Sequence, residues 1–440
     1  MSAMGSWKPR LAVLLVATAC RHAAPPSHTP AATPQPPSPA HTVEECEAKT
    51  TRAKPTQNGH VSVEGGDGKR HWLYWVKLAA PTQPARGTLF YLAGGPLSHV
   101  NYTDLAAAFQ RLSFPDFDVV LYDYFGFNCS SAIQDEATLK AQAPNLTMHA
   151  MAKDFIQLKR QLVGQGAKAY LMGGSHGAML GAQIVADFPS EIEKAALFSG
   201  DTVSGWLEDG WFRFDRLMLK LDAANPGFAD ALERLLRSAE EGKLTVPVAE
   251  KEVTVDRPTF EAALWLAFSL DSVAQSALPA LVKAAGRGER RWIANVMTVA
   301  RLLPQPPQPT PPPTDVTWGT TFHRCSIWFP RSARARPNAT PTRFFHHSAF
   351  VQYWNTLCAP VDSLPESPLH AVPQQPTQVP VLTWVGDQDT FDPDVTRAHW
   401  AALSSNIAFH LEEGWSHDFG PNPNTGIVAA AALVKTFFAP

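Results

Sequence analysis

A chain of 440 residues with 45% hydrophobic content can bury a large core, and its length leaves room for about two to three domains. Charged residues make up only 18% and the formal net charge is -3. The chain therefore offers neither the basic face that nucleic acid demands nor an acidic tail.

Residues 1–19 read as an export signal, with Lys8 and Arg10 at the positive start and Leu11 to Val16 as the apolar run. That run is too short to stay in a bilayer as a helix. Ala17, Thr18 and Ala19 leading into Cys20 resemble a bacterial lipoprotein processing site. The resemblance implies cleavage before Cys20 and a lipid anchor on it, the one membrane contact expected; an ordinary secretory signal is the alternative. Residues 21 to 40 hold seven prolines, so 20–45 is expected to be a semi-extended tether outside any core. Export also frames the other cysteines. Cys46, Cys129, Cys325 and Cys358 are even in number and admit three pairings in an oxidising compartment, or four buried thiols. Cys325 with Cys358, in one segment, is the first pairing to expect, and Cys46 with Cys129 then follows. No C-x-x-C spacing supports a metal site.

Further along, strand and helix patterns alternate. His71 to Ala79 and Thr88 to Ala93 are short runs rich in aromatic and β-branched residues. Tyr102 to Leu112 has helical spacing, Phe117 to Tyr124 reads as a strand, Met148 to Val163 as a long amphipathic helix and Ala167 to Met172 as a buried strand. A helix to Asp187 and a strand from Lys194 to Ser199 follow. This rhythm implies a mostly parallel sheet covered on both faces, with its working site beyond the carboxyl ends of the strands. After Asp201 the rhythm stops. Residues 205–375 carry helical patterns at Trp211 to Leu221, Asp230 to Ala239 and Thr259 to Phe268, and a proline tract from Pro304 to Pro313 that suits a stiff surface excursion. Alternation resumes with the strand Val379 to Val385, the helix Asp394 to Leu403, the strand Ile407 to Leu411 and a closing helix from Gly426 to Phe438. The core is therefore expected over 46–204 and 376–440, with 205–375 inserted into it.

The chemistry-bearing stretch is Gly173-Gly174-Ser175-His176-Gly177, which fits G-x-S-x-G between a buried strand and a helix. At such an elbow the serine is held strained, and a side chain at either flanking glycine would collide with backbone. The helix also aims its N–H groups and positive end at the serine. A Gly-rich loop between core elements is the plain alternative. A serine is a weak nucleophile until a base takes its proton, and the base needs a carboxylate to fix its tautomer. The acidic turn Gly386-Asp387-Gln388-Asp389 offers two carboxylates, and its G-x-x-D spacing favours Asp389 over Asp387. His417 then supplies a base in the order Ser, Asp, His. His176 is poorly placed as a base, but its backbone N–H suits an oxyanion. Gly94-Gly95-Pro96, directly after a strand, would let Gly95 present a second N–H, or simply mark a turn.

Together these residues resemble the α/β-hydrolase superfamily and, within it, the prolyl iminopeptidase and tripeptidyl aminopeptidase group. That group carries H-G-G-P-G, D-Q-R-G-x-G-x-S, G-G-S-[WY]-G, an acidic G-x-x-D turn and a late G-x-x-H. Here stand Gly94-Gly95-Pro96, Asp123 with Gly126 and Ser130, Gly173 to Gly177, Asp389 and His417, spread over 85–200 and 379–440. Ala93 replaces the family His, Leu97 the last Gly, Tyr124-Phe125 the Gln-Arg, Asn128 a Gly and His176 the aromatic residue. The resemblance implies an α/β-hydrolase fold, a mostly parallel sheet covered by helices; the break in rhythm places the helical insertion, expected as a large lid, between the sixth and seventh core strands, and the lid does not align with the group by motif. It implies a serine hydrolase of amide or ester bonds acting through Ser175, His417 and Asp389, with the N–H groups of Gly95 and His176 on the oxyanion and no metal or organic cofactor. Aminopeptidase specificity comes first and an esterase with an apolar acyl pocket second. A catalytically silent ligand- or partner-binding protein is the alternative of a different class. In the lid, Trp206, Trp211 and Trp265 are candidates to wall the acyl pocket, and Glu208 or Asp209 to receive a free substrate amine. A solvated helix face is the plain reading of those two carboxylates.

Overall fold

The computed structural model describes residues 45–46, 55–94, 114–130, 133, 135–202, 213–248, 251–268, 272–299, 322–328, 331–334, 344, 354–355, 358–364, 375–387, 389, 392–415, 417 and 423–439. β1 (Gln57–Glu64) turns into β2 (Arg70–Leu78), and β3 (Gly87–Leu92) and β4 (Phe117–Tyr122) follow. Helices α1 (Glu136–Gln142) and α2 (Met148–Val163) lead to β5 (Ala169–Gly174), α3 (His176–Asp187) and β6 (Ile192–Phe198). Next come α4 (Arg213–Ala224), α5 (Phe228–Glu240), the hairpin β7 (Thr245–Val248) and β8 (Lys251–Thr254), then α6 (Arg257–Phe268), α7 (Ser272–Gly286) and α8 (Arg291–Val299). β9 (Val381–Gly386), α9 (Pro393–Leu403), β10 (Ile407–Glu412) and α10 (Pro423–Phe438) close the chain. The expected helix at Tyr102 to Leu112, the proline tract, the signal and most of the tether lie outside the described residues.

Eight strands form one sheet in the order β1-β2-β4-β3-β5-β6-β9-β10. β1 and β2 pair antiparallel, as do β2 and β4; every later pair is parallel. All carboxyl ends from β4 to β10 therefore share one rim. Two features were not expected from sequence: β1 precedes the first anticipated strand, and the insertion between β6 and β9 contains the β7–β8 hairpin among its helices.

The pleat sorts the core. Along β3 and β4, Phe90, Val120 and Tyr122 enter the apolar cluster on one face, while Leu89, Val119 and Leu121 enter the cluster on the other. The first cluster takes Met151, Phe155 and Leu158 from α2 and Leu180 and Ile184 from α3; the second takes Ala430, Val434 and Phe438 from α10. Because both faces are covered, the central strands read as continuous apolar runs, and β9 is buried throughout. Helix α2 starts where the Thr147 side chain accepts from the Ala150 N–H, and it stops at Gly164, whose φ of 92 no branched residue adopts cheaply. In the insertion, α5 buries Phe228, Leu232, Leu235, Leu236 and Ala239, one stripe at helical spacing. Cys46 is bonded to Cys129 and Cys325 to Cys358, with Cα separations of 6.0 and 5.4 Å. No helix among the described residues is long and apolar enough to cross a membrane.

Candidate functional site

Ser175 sits between β5 and α3 with φ 54 and ψ -120, a backbone conformation that costs a non-glycine residue on the order of 1–3 kcal/mol. Packing enforces it. A Cβ on Gly177 would lie 2.1 Å from the Leu92 carbonyl oxygen, and one on Gly173 would lie 2.7 Å from the Gly177 carbonyl oxygen. Both flanking glycines are thus steric requirements of bringing α3 down beside β3. The Ser175 carbonyl accepts from the N–H groups of Ala178 and Met179, and its own N–H donates to the Phe198 carbonyl at 3.0 Å. These bonds tie the elbow to its helix and to the end of β6.

Two strands further along the sheet, about 10 Å away at ordinary strand spacing, the turn after β9 carries both acidic candidates. The structure separates their roles. Asp389, 4% exposed, places Oδ2 3.2 Å from Nδ1 of His417. Asp387 instead accepts the Gly414 N–H at 2.7 Å through Oδ1, and its own N–H donates to the Glu412 carbonyl. Asp387 therefore shapes the turn leaving β10, while Asp389 meets the imidazole. The two turns cross closely: a Cβ on Gly386 would fall 1.9 Å from the Trp415 carbonyl oxygen, which explains the glycine there. Helix α4 of the insertion reaches the same turn, with Lys220 Nζ on the Asp387 carbonyl and Arg216 3.5 Å from Asp392.

The loop after β4 holds the other motif residues, and they are structural. The Asp123 carboxylate accepts from Asn128 Nδ2 and the Cys129 N–H, both at 3.1 Å. Ser130 Oγ donates to the Asp123 carbonyl at 2.8 Å and accepts from the Tyr74 N–H at 2.9 Å. Gly126 takes φ 83. Tyr124, which the sequence placed in the strand, lies just beyond it and donates its hydroxyl to the Ala93 carbonyl at 2.8 Å.

Beside the elbow lies a group of enclosed rings. His176 is 1% exposed, and burial pushes its pKa down from 6.5 to about 4. Its ring meets those of Tyr124 at 6.1 Å and His323 at 5.8 Å. His323, from the insertion two residues before Cys325, is fully buried against Phe127, and burial followed by the neighbouring His176 drives its pKa well below the usual value. Another Asp–His pair lies after β6: the Asp201 carboxylate accepts from the Thr202 N–H and meets His399 Nδ1 on α9 at 3.0 Å. Sequence reading named Tyr124 only as a departure from the family motif and missed its contact with Ala93, and it missed His323, Asp201 and His399 altogether. Only an account of which loops share the rim could have found them.

Gly95, Trp206, Glu208, Asp209, Trp211 and Cys20 lie outside the described residues. Trp265 is 7% exposed and belongs to the apolar core shared with the insertion.

A serine on a strained elbow and a carboxylate-oriented imidazole on one rim suit nucleophilic attack on a carbonyl. Residues 87–420 match the family of the alpha/beta hydrolase fold, and the chain belongs to that family. Among solved structures it is similar to a proline iminopeptidase from Mycobacterium smegmatis, at 18% identity over 86% of this chain and 98% of that one, with a TM-score of 0.41. An esterase from Thermogutta terrifontis shares 16% identity over 87% of this chain and all of its own (100%), with a TM-score of 0.41. An epoxide hydrolase from Vigna radiata shares 14% identity over 86% and 98%, with a TM-score of 0.38. None of the curated proteins matches the chain.

Proposed function

We propose that this hydrolase-fold protein is a serine hydrolase of amide or ester bonds. His417, oriented by Asp389, takes the Ser175 hydroxyl proton as Oγ attacks the substrate carbonyl. The backbone N–H groups of Gly95 and His176 hold the resulting oxyanion. The imidazolium then returns its proton to the leaving group, an acyl-enzyme remains, and water activated by the same imidazole releases the acid. The observation that carries this reading is the 3.2 Å approach of His417 Nδ1 to Asp389 Oδ2 on the rim where Ser175 takes its strained φ.

Aminopeptidase specificity of the prolyl iminopeptidase type is the first reading, on the motif resemblance. An esterase is the second, favoured by the uncharged rings of Tyr124, Phe127, His176 and His323 beside the elbow. The protein acts outside the cytoplasm of a bacterium, held to a membrane through a lipid on Cys20 and a proline-rich tether. The insertion serves as a lid over the rim.

A fluorophosphonate probe tests the chemistry: the wild type labels and Ser175→Ala does not. A folded wild type that stays unlabelled would instead indicate a silent binding protein. Turnover of proline and alanine aminoacyl amides against short acyl esters separates the two specificities, since a strict need for a free amino terminus marks the peptidase. Mass spectrometry of the mature amino terminus tests the Cys20 lipid.

A further inference from the structure

β3 and β4 are parallel neighbours, so the segments that follow them leave the sheet side by side. Tyr124, beyond the end of β4, reaches across and donates to the carbonyl of Ala93, the residue after β3, at 2.8 Å. That carbonyl belongs to the planar peptide unit shared with Gly94. Gly94 lies hard against the elbow: a Cβ there would come 3.0 Å from the Gly174 carbonyl oxygen and 3.6 Å from Ser175 Cβ. The position is tight for any side chain, and a glycine leaves its own torsions weakly determined. A hydrogen bond onto the adjoining peptide restricts them. The Tyr124 hydroxyl is in contact with that peptide, and the same ring packs at 6.1 Å, edge to face, on His176.

We propose that Tyr124 is a positioning residue for the oxyanion side of the site, fixing the Ala93–Gly94 peptide against the Ser175 elbow while bracing His176. This rests on the serine-hydrolase reading above. The group this chain resembles has Gln at the corresponding place, where this sequence has a phenol. Burial first, then the nearby Tyr122 and Tyr91, raise the hydroxyl pKa well above its usual value, and the phenol stays protonated as a donor.

Tyr122 provides a matched control. It ends β4, its ring is 5.4 Å from that of Tyr124, and its buried hydroxyl has no hydrogen-bond partner among the described residues. Tyr124→Phe should lower kcat for a short acyl p-nitrophenyl ester about 10- to 100-fold, less than or comparable to losing one oxyanion donor outright. KM should stay within about twofold, because a transition-state interaction is lost and not a ground-state one. Fluorophosphonate labelling should slow in parallel, and Tyr122→Phe should change none of these. Wild-type kcat in Tyr124→Phe, or an equal fall in both variants, overturns the proposal. A wild type that neither labels nor turns over ester is a different failure, that of the serine-hydrolase reading itself.

Discussion

The ring of His323 stands edge to face against that of His176, with centroids 5.8 Å apart and an interplanar angle of 86°. One comes from the insertion and the other from the first residue of the elbow helix, so the contact joins the two halves of the molecule beside Ser175. Neither ring nitrogen of His323 has a hydrogen-bond partner among the described residues.

An imidazole buried without partners destabilises the fold. His323→Leu, close in volume and apolar, should raise the unfolding free energy by about 1–2 kcal/mol, the usual desolvation cost of such a group. A higher denaturant midpoint at unchanged m-value is the expected result. A lower midpoint would mean that the imidazole satisfies its nitrogens with water.

The same pair sets an acid limit. In the unfolded chain His176 takes a proton near its ordinary 6.5, whereas the folded chain resists until about 4. The unfolded state therefore binds more protons in that window, so stability is complete above the upper value and is lost as pH falls through the lower one. His176 alone accounts for about 3 kcal/mol of loss, and His323 acts in the same direction. Melting temperatures from pH 7 to pH 4 should fall, and less steeply in His323→Leu. Parallel curves for the two proteins would remove His323 from the account.

The two acids after β9 should differ sharply. If the proposed mechanism holds, Asp389→Asn keeps the shape but loses the charge that would hold the His417 tautomer, and kcat should drop by about 10⁴. Asp387→Asn keeps an oxygen to accept the Gly414 N–H and should leave kcat within about tenfold. Steady-state kinetics on one substrate decides it, and the reverse order would reassign the acid.

Glycine substitutions separate required from incidental positions. Gly177→Ala drives a methyl into the Leu92 carbonyl and should cost at least about 3 kcal/mol, the upper end of overpacking. Gly286, the last residue of α7, has open space around it, and Gly286→Ala should stabilise by about 0.5–1 kcal/mol. Chemical denaturation of both variants measures the contrast.

Legibility followed the range of the forces involved. The elbow could be read because its glycine demand is steric and local, and Met148 to Val163 because its sixteen residues keep helical spacing throughout. The alternation of apolar runs gave the parallel sheet, and the chain order of Ser175, Asp389 and His417 suggested the constellation. β1 was hidden because only Val61 and Val63 of its eight residues are buried. β7 and β8 are four residues each, with Pro247 and Lys251 among them, too short and polar to show a period. Tyr124, His323 and the Asp201–His399 pair act through partners distant in sequence, and their meaning exists only once the strand order brings those partners to one rim.

The bridge from Cys46 to Cys129 lands in the loop that follows β4. An expression clone begun downstream of Cys46 would leave Cys129 as a lone thiol in that loop, without the covalent tie that holds it to the start of the chain.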